Sequence, residues 1–337
     1  MAEPAFRKIR KVLIIKPSSM GDVVHALPVL YSLRQGLGAR AELHWVLAEE
    51  LAGLLRGHPL VNRLWVLRKD RWGLRRPFLT AGDFLSLGRA LRAQGFDAAL
   101  DLQGLLRSAL IARLSGAPLR VGFREAREGA ALLYTHKVQA PPEEHAVRRC
   151  LRVAEFMGFP AEEVFSLPRA EGFEPPLRDY AVLLPGARWP SKQWGAERFA
   201  QLARALPLKG LLLGGPGEEA LARKIGEAAG HRVVDLVGRT EIRQMVELLR
   251  HARVVVGNDS GPLHVAAALG VPVVALFGPT EPERTGPRGP AKAIVLRRLE
   301  ACPWGVRAYC RRRRCPRPLC IRAIGTQEVL EAVKVLL

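Results

Sequence analysis

The stretch KVLIIKPSSMGDVVHALPVL, Lys11 to Leu30, decides the fold. It opens as an apolar run of strand type and closes with Val23, Val24, Leu27 and Leu30 at helical spacing. Between the two, a pair of serines, a glycine and Asp22 interrupt both patterns. A strand that passes through a polar turn into a helix is the repeating unit of open α/β sheets, which build ligand sites at their carboxyl edge. Asp22 therefore stands where a functional group is expected.

The same unit recurs along the chain. Runs at 41–48, 63–67 and 97–102 read as further short buried strands, each followed by a helical pattern. After about residue 170 the alternation restarts with strands at 180–187, 209–215, 231–238, 252–258 and 272–278, separated by helices such as GAERFAQLARAL and GEEALARKIGEAA. Two blocks of alternating strand and helix predict an α/β chain with two doubly wound sheets. The proline-paired segment RAEGFEPPLRD, 169–179, is the expected linker. The expected domains are 1–170 and 171–325, with a last helix at 326–337 returning to the first domain.

Composition excludes several classes. The 337 residues, 48% of them hydrophobic, suffice for two cores, and no apolar stretch is long enough to span a bilayer. The start, MAEPAFRKIRK, lacks a signal peptide's apolar centre, so a cytoplasmic location is expected. Lys and Arg number 52 against 32 Asp and Glu, a net charge of +20 that attracts polyanions. Aromatic residues make up only 6% and no groove-reading motif is present, so nucleic acid is not the expected partner.

The loops narrow the chemistry. Neither G-x-G-x-x-G nor a Walker A sequence follows a strand, and the D-x-D of metal-dependent nucleotide-sugar enzymes is absent. No metal and no cofactor is expected, and any phosphate must meet protein cations and helix ends. In VVVGNDSGPLHVAAALGVPVVALFGPT, 254–280, a strand runs into Asn258, Asp259, Ser260 and Gly261, with Pro262 opening a helix and His264 on its first turn. Amides at such a helix start suit a pyrophosphate, although Asp259 or Ser260 alone reads equally as a helix cap. In LLPGARWPSKQW, 183–194, Arg188 and Lys192 place cations at another strand end, Lys192 able to neutralise a departing phosphate. In LLLGGPGEEALA, 211–222, Glu218 reads either as a dipole complement or as a ribose ligand.

These motifs, together with DLQGLLRSALIARL, AREGAALLYTHK and EHAVRRCLRVAEFMGF, resemble the lipopolysaccharide heptosyltransferases over nearly the whole chain and in order. The resemblance implies two Rossmann-like domains facing a cleft, the GT-B type. It implies an inverting, metal-independent transfer of heptose from ADP-L-glycero-D-manno-heptose to the Kdo or heptose of the inner core on lipid A. A related glycosyltransferase using another nucleotide sugar or an acceptor other than lipopolysaccharide is the alternative. On this resemblance Asp22 is the general base, with Ser18, Ser19 and Gly21 around the acceptor. Lys192 binds phosphate, Glu218 the ribose, and Asp259, Ser260, Gly261 and His264 the donor, with Arg188 and Asn258 as further donor contacts. Arg127 meets the acidic acceptor. An acceptor of the lipid A–Kdo type places the enzyme peripherally on the inner face of the cytoplasmic membrane, in contact with anionic headgroups.

The amino-terminal half is similar to the first heptosyltransferase type, whose acceptor is Kdo, whereas NDSGPLH and PGARWPSKQW lie nearer the second type. The acceptor sugar is therefore open. The tail ACPWGVRAYCRRRRCPRPLC, 301–320, is similar to the cysteine-bearing tail of second-type relatives. Its Cys302, Cys310, Cys315 and Cys320 lack C-x2-C spacing and leave zinc, a disulfide or simple packing as readings. Arg311 to Arg314 lie in the same tail.

Overall fold

The computed structural model describes residues 6–68, 77–306 and 308–337. The chain divides into two compact units, Met1–Pro168 and Arg169–Leu337. In the first, β1 (Lys11–Ile15), β2 (Glu42–Ala48), β3 (Arg63–Leu67), β4 (Ala98–Asp101), β5 (Leu119–Phe123) and β6 (His136–Val138) form one sheet ordered β3-β2-β1-β4-β5-β6. In the second, β7 (Tyr180–Leu184), β8 (Lys209–Leu212), β9 (Val233–Asp235), β10 (Val254–Asn258), β11 (Val273–Phe277) and β12 (Ala293–Arg297) are ordered β12-β11-β10-β7-β8-β9. Every pairing in both sheets is parallel.

The two orders are one topology used twice. Each chain segment starts at the sheet centre, winds out to one edge, returns beside its own first strand and winds out to the other. Loops leaving β1 and β4, and those leaving β7 and β10, therefore part company at a topological switch point. The central strands are apolar because helices cover both faces. Val12 to Ile15 and Val254 to Val256 have no solvent exposure. Burying each such side chain is worth about 1.5–3 kcal/mol.

The nine strands expected from the sequence are present, and β5, β6 and β12 add to them. β5 and β6 lack a continuous apolar run, whereas β12 has a short one, Ala293 to Leu296, set among basic residues. β12 alternates between exposed and partly buried residues at a sheet edge, and β6 buries only Val138 of its three residues. β5 carries Gly122, where a Cβ would stand 2.3 Å from the Tyr134 ring. A glycine needed for packing weakens the strand signal.

The C-terminal helix, Thr326–Leu336, corrects an expectation. Rather than returning to the first domain, it packs on the helix Ala196–Ala205 and against β10 and β11, with Val329 and Val333 fully buried in the second core. Trp194 helps to anchor the end of the chain there. Its indole Nε1–H donates to the Ile324 carbonyl at 2.9 Å, its backbone N–H donates to Asn258 Oδ1, and its ring meets Phe199 edge-on. Trp194→Phe removes the indole donor and strands a buried carbonyl. It should lower the stability of the second unit by about 1–3 kcal/mol in denaturant unfolding, and an unchanged midpoint would refute this anchoring.

Candidate active site

In the first unit, Ser19 caps the helix Met20–Ala26 and Asp22 occupies its first turn. Ser19 donates to Asp22 Oδ2 twice, from its backbone N–H at 2.9 Å and from its hydroxyl at 2.6 Å. Asp22 is thus a capping residue. Both bonds use one oxygen, however, and Oδ1 accepts none from the described residues. Burial pushes the Asp22 carboxyl up, but Lys16, the Ser19 bonds and His25 outweigh it and hold the group below the ordinary carboxylate range. Gly21 is buried beside it, while Ser19 is exposed.

Two residues absent from the sequence-based expectations organise this edge. Lys16 closes the apolar run of β1, is buried, and donates through Nζ to the Leu102 carbonyl at 2.8 Å, tying the β1 loop to the β4 loop. The signal for it was a cation ending a buried strand. Asp101, fully buried at the end of β4, accepts from Tyr134 Oη, Ser108 Oγ and the backbone N–H groups of Gln103 and Gly104. Burial pushes its carboxyl up against the pull of these bonds. The shaped loop then takes the Arg127 N–H on the Gly104 carbonyl at 2.9 Å, which sets exposed Arg127 at the same edge as Asp22. A cavity of about 200 Å³ opens there, lined by Ser18, Arg68, Gln103, Leu105 and Arg107 among others.

In the second unit, Lys192 ends the 3-10 turn Pro190–Lys192, and its Nζ lies 2.5 Å from Asp259 Oδ2. Thr280 Oγ1 donates to that oxygen at 2.6 Å, and His264 Nε2 stands 3.4 Å from Oδ1. Burial pushes the Asp259 carboxyl up, but the bonds and charges of His264 and Lys192 hold it well below the usual range. The Lys192 ammonium also lies over the Trp189 ring at 5.0 Å from its centre. Asp259 is therefore no helix cap. Ser260 holds the cap position of the helix Gly261–Ala268, and its side chain makes no capping bond. Arg188 is exposed just before this turn.

Glu218 lies at the ends of β7 and β8. Its Oε2 accepts from the Gly215 N–H at 3.0 Å, and burial pushes its carboxyl up, reinforced by Glu219. Gly186 and Gly214 make room for it, since a Cβ on either would fall 2.0 or 2.4 Å from its carboxylate oxygens. Asn258 corrects a further expectation. It is fully buried, its Nδ2 donates to the Pro185 carbonyl at 2.7 Å and its Oδ1 accepts from Trp194 N–H, so it clamps the β7 loop and is not open to a ligand. The requirement to satisfy a buried amide at both ends accounts for this.

An α/β chain with a carboxylate at one switch point and a lysine–carboxylate cluster at the other can offer a proton acceptor and a phosphate-binding cation. Residues 84–311 match glycosyltransferase family 9 (heptosyltransferase), and the chain belongs to that family. It is 31% identical over 301 residues to lipopolysaccharide heptosyltransferase 1 of Escherichia coli (strain K12), covering 83% of this chain and 91% of the relative. Among solved structures it is similar to E. coli ADP-heptose lps heptosyltransferase II, with a TM-score of 0.78 at 27% identity, covering 97% of this chain and 98% of that one. It is equally similar to E. coli heptosyltransferase WaaC with ADP, with a TM-score of 0.77 at 26% identity, covering 97% and 100%. The α/β fold with two Rossmann-like sheets and the glycosyltransferase class are thereby established.

The Asp259 cluster generates a prediction about acid. A carboxyl with a lower pKa folded than unfolded contributes stability that is complete above the unfolded value of about 3.9. That stability disappears as pH falls toward the folded value. Asp259→Asn should therefore be less stable than the parent at neutral pH and lose less stability between about pH 4 and pH 2. Urea midpoints measured across that range test it, and parallel curves for the two proteins would remove the cluster from the pH dependence.

Proposed function

We propose that the protein transfers heptose from ADP-L-glycero-D-manno-heptose to the Kdo or heptose inner core of lipopolysaccharide, by a single inverting displacement that needs no metal ion. The observation that carries this reading is Asp22, an ionised carboxylate at the carboxyl edge of β1 with Oδ1 uncommitted. The acceptor hydroxyl oxygen forms its bond to the anomeric carbon while the bond from that carbon to the β-phosphate oxygen breaks. The proton of the hydroxyl passes to Asp22, and the electron pair leaves with ADP. A carboxylate of low pKa is a weak base toward a resting alcohol, so transfer of the proton comes late, when bond formation has made the hydroxyl acidic.

The second unit supplies the charge that ADP requires. Lys192 waits on Asp259, which Thr280 holds in turn, so phosphate binding exchanges one charged partner for another without ordering a free side chain. Ser260 Oγ and the first amides of the helix Gly261–Ala268 add donors, with His264 behind them. Glu218, seated over Gly186 and Gly214, meets the ribose hydroxyls. Arg127 and Ser18 meet the acidic acceptor. This charge set does the work that a divalent ion performs in metal-dependent enzymes.

Two variants separate the chemistry from the binding. Asp22→Asn keeps the shape and should reduce turnover by at least ~100-fold with ADP affinity unchanged. Lys192→Ala should weaken ADP by about tenfold or more, with adenosine affinity near that of the parent. Transfer is measured with ADP-heptose and a delipidated acceptor without added divalent ions. Near-normal turnover of Asp22→Asn, or a strict demand for magnesium or manganese, would defeat the reading.

We also propose peripheral docking on an anionic membrane. No helix among the described residues is long and apolar enough to cross a membrane, and the net charge is +20. Arg311 to Arg314 are exposed, Arg312 stacked on Trp304 and Arg313 on Trp189, which leaves Arg311 and Arg314 to reach outward. The protein should sediment with phosphatidylglycerol vesicles at low salt and leave them by about 0.5 M salt, as the ~8 Å physiological Debye length shortens. Replacing Arg311 and Arg314 by serine should weaken sedimentation without changing transfer to a soluble acceptor. Equal binding to neutral vesicles would exclude an electrostatic mode.

A further inference from the structure

The four consecutive tail arginines do not share one environment. Arg311 and Arg314 are exposed and Arg312 lies on the exposed Trp304 ring, but Arg313 is turned back onto the β7 loop. From Cys302 to Pro318 the described residues form neither helix nor strand, the cysteines are free thiols, and no group among the described residues is arranged to hold a metal ion. Hydrogen bonds fasten the tail instead. Arg297, the last residue of β12, donates to the carbonyls of Gly278 and Ala308. Cys310 donates its backbone N–H to the Pro279 carbonyl at 2.8 Å, and Ser191 donates its own to the Arg313 carbonyl at 3.2 Å. Pro279 precedes Thr280, which holds Asp259, and Ser191 precedes Lys192. The tail is therefore tied to the loops that build the lysine–carboxylate cluster.

The Arg313 side chain follows its backbone to the same place. Its guanidinium carbon stands 5.3 Å from the centre of the Trp189 ring, and the Lys192 ammonium stands 5.0 Å from that same centre. One indole thus carries both cations. Lys192 is balanced by Asp259. Among the described residues Arg313 has no carboxylate in salt-bridge reach, and neither has exposed Arg188 beside the ring. Like charges gathered on one loop repel, and an anion bound there removes that cost. A guanidinium lying over an aromatic ring uses its face and keeps its N–H edges free, and those edges are what grip a phosphate in bidentate fashion.

We propose that Arg313 is a diphosphate-binding residue of the donor site, gripping the nucleotide sugar beside Lys192. This rests on the donor site proposed above and adds to it a residue that no donor-loop motif contains, because the tail returns it from far along the chain. Its charge counts for more as transfer proceeds. The bond from the anomeric carbon to the β-phosphate oxygen breaks with its electron pair, which leaves a further negative charge on ADP for Arg313 and Lys192 to meet. Trp189 holds the guanidinium in place beforehand, so binding orders little that was free. Membrane headgroups offer the same phosphate chemistry, but the Arg313 carbonyl and guanidinium both engage the Trp189–Lys192 turn.

Calorimetric titration of the full chain with ADP and with adenosine tests it. Arg313→Gln should weaken ADP by about tenfold and leave adenosine near the parent value, as the loss of one charge-assisted contact to phosphate requires. Arg313→Lys keeps the charge without the fork and should weaken ADP by about threefold. Arg317→Gln removes the same charge from an exposed place in the tail and should bind ADP as the parent does. Arg313→Gln should also sediment with phosphatidylglycerol vesicles much as the parent does. If Lys192→Ala weakens ADP while both Arg313 variants bind it like the parent, Arg313 is no diphosphate ligand and the donor site stands. If neither Lys192→Ala nor Arg313→Gln changes ADP binding, the donor site lies elsewhere and both readings fall. Equal losses of ADP and adenosine in Arg313→Gln, an equal loss of ADP in Arg317→Gln, or lost vesicle binding with ADP affinity intact would each overturn the assignment. Should Arg313→Gln fail to fold, Arg313→Lys carries the test, since it keeps the backbone and the charge.

Discussion

The divergence of two parallel central strands governs each half of this protein. β1 and β4 lie side by side, as do β7 and β10, yet the chain leaves each pair toward opposite edges of its sheet. Right-handed crossovers send the following helices to opposite faces and leave a crevice between the two loops, bridged here by Lys16 on the Leu102 carbonyl and by Lys192 on Asp259. Polar groups gather at those carboxyl ends, where the buried ones find partners on the neighbouring loop, and Arg127 after β5 and Glu218 after β8 join them at the same sheet edges.

The two edges solve different electrostatic problems. Around Asp22, a buried lysine and a capping serine keep a carboxylate charged while one oxygen stays open. Around Lys192, a buried carboxylate with its own hydroxyl and imidazole partners keeps an ammonium in position. A lone buried charge costs several kcal/mol, so both arrangements need partners supplied by distant parts of the chain. Leu102, through its carbonyl, and Thr280, through its hydroxyl, are such partners, 86 and 21 positions from the groups they hold.

Steric room matters as much as charge. Glu218 reaches the ends of β7 and β8 only because Gly186 and Gly214 present no side chain to it. The β7 loop in turn keeps its course through the buried Asn258 amide. A family motif such as GNDSGPLH therefore mixes residues of two kinds. Asn258 builds the floor, Asp259 holds the cation, and Ser260 with Gly261 faces the open helix end.

The sequence by itself determined the α/β class, the two sheets, nine strands with apolar runs, the central ones buried on both faces, and the loops that bear polar residues. Those features are local, because a strand covered on both sides must be apolar along its whole length and the turn after it must break that run. Tertiary structure decided what local pattern does not encode. The edge strand β6 and the glycine-bearing β5 lack an apolar run, so pairing with a neighbour is what makes them strands, and the short apolar run of β12 takes its place by pairing with β11 at the sheet edge. The amphipathic helix Thr326–Leu336 has an apolar face that fits any exposed sheet, and only the second core's packing selects its place. Among the site residues, the sequence marked Asp22, Lys192 and Asp259 as polar breaks at strand ends. The joining of Lys192 to Asp259, 67 positions apart in the chain, and the withdrawal of Asn258 into the scaffold arise from β7 and β10 lying side by side, because hydrogen bonds and buried charges are settled by contacts across space.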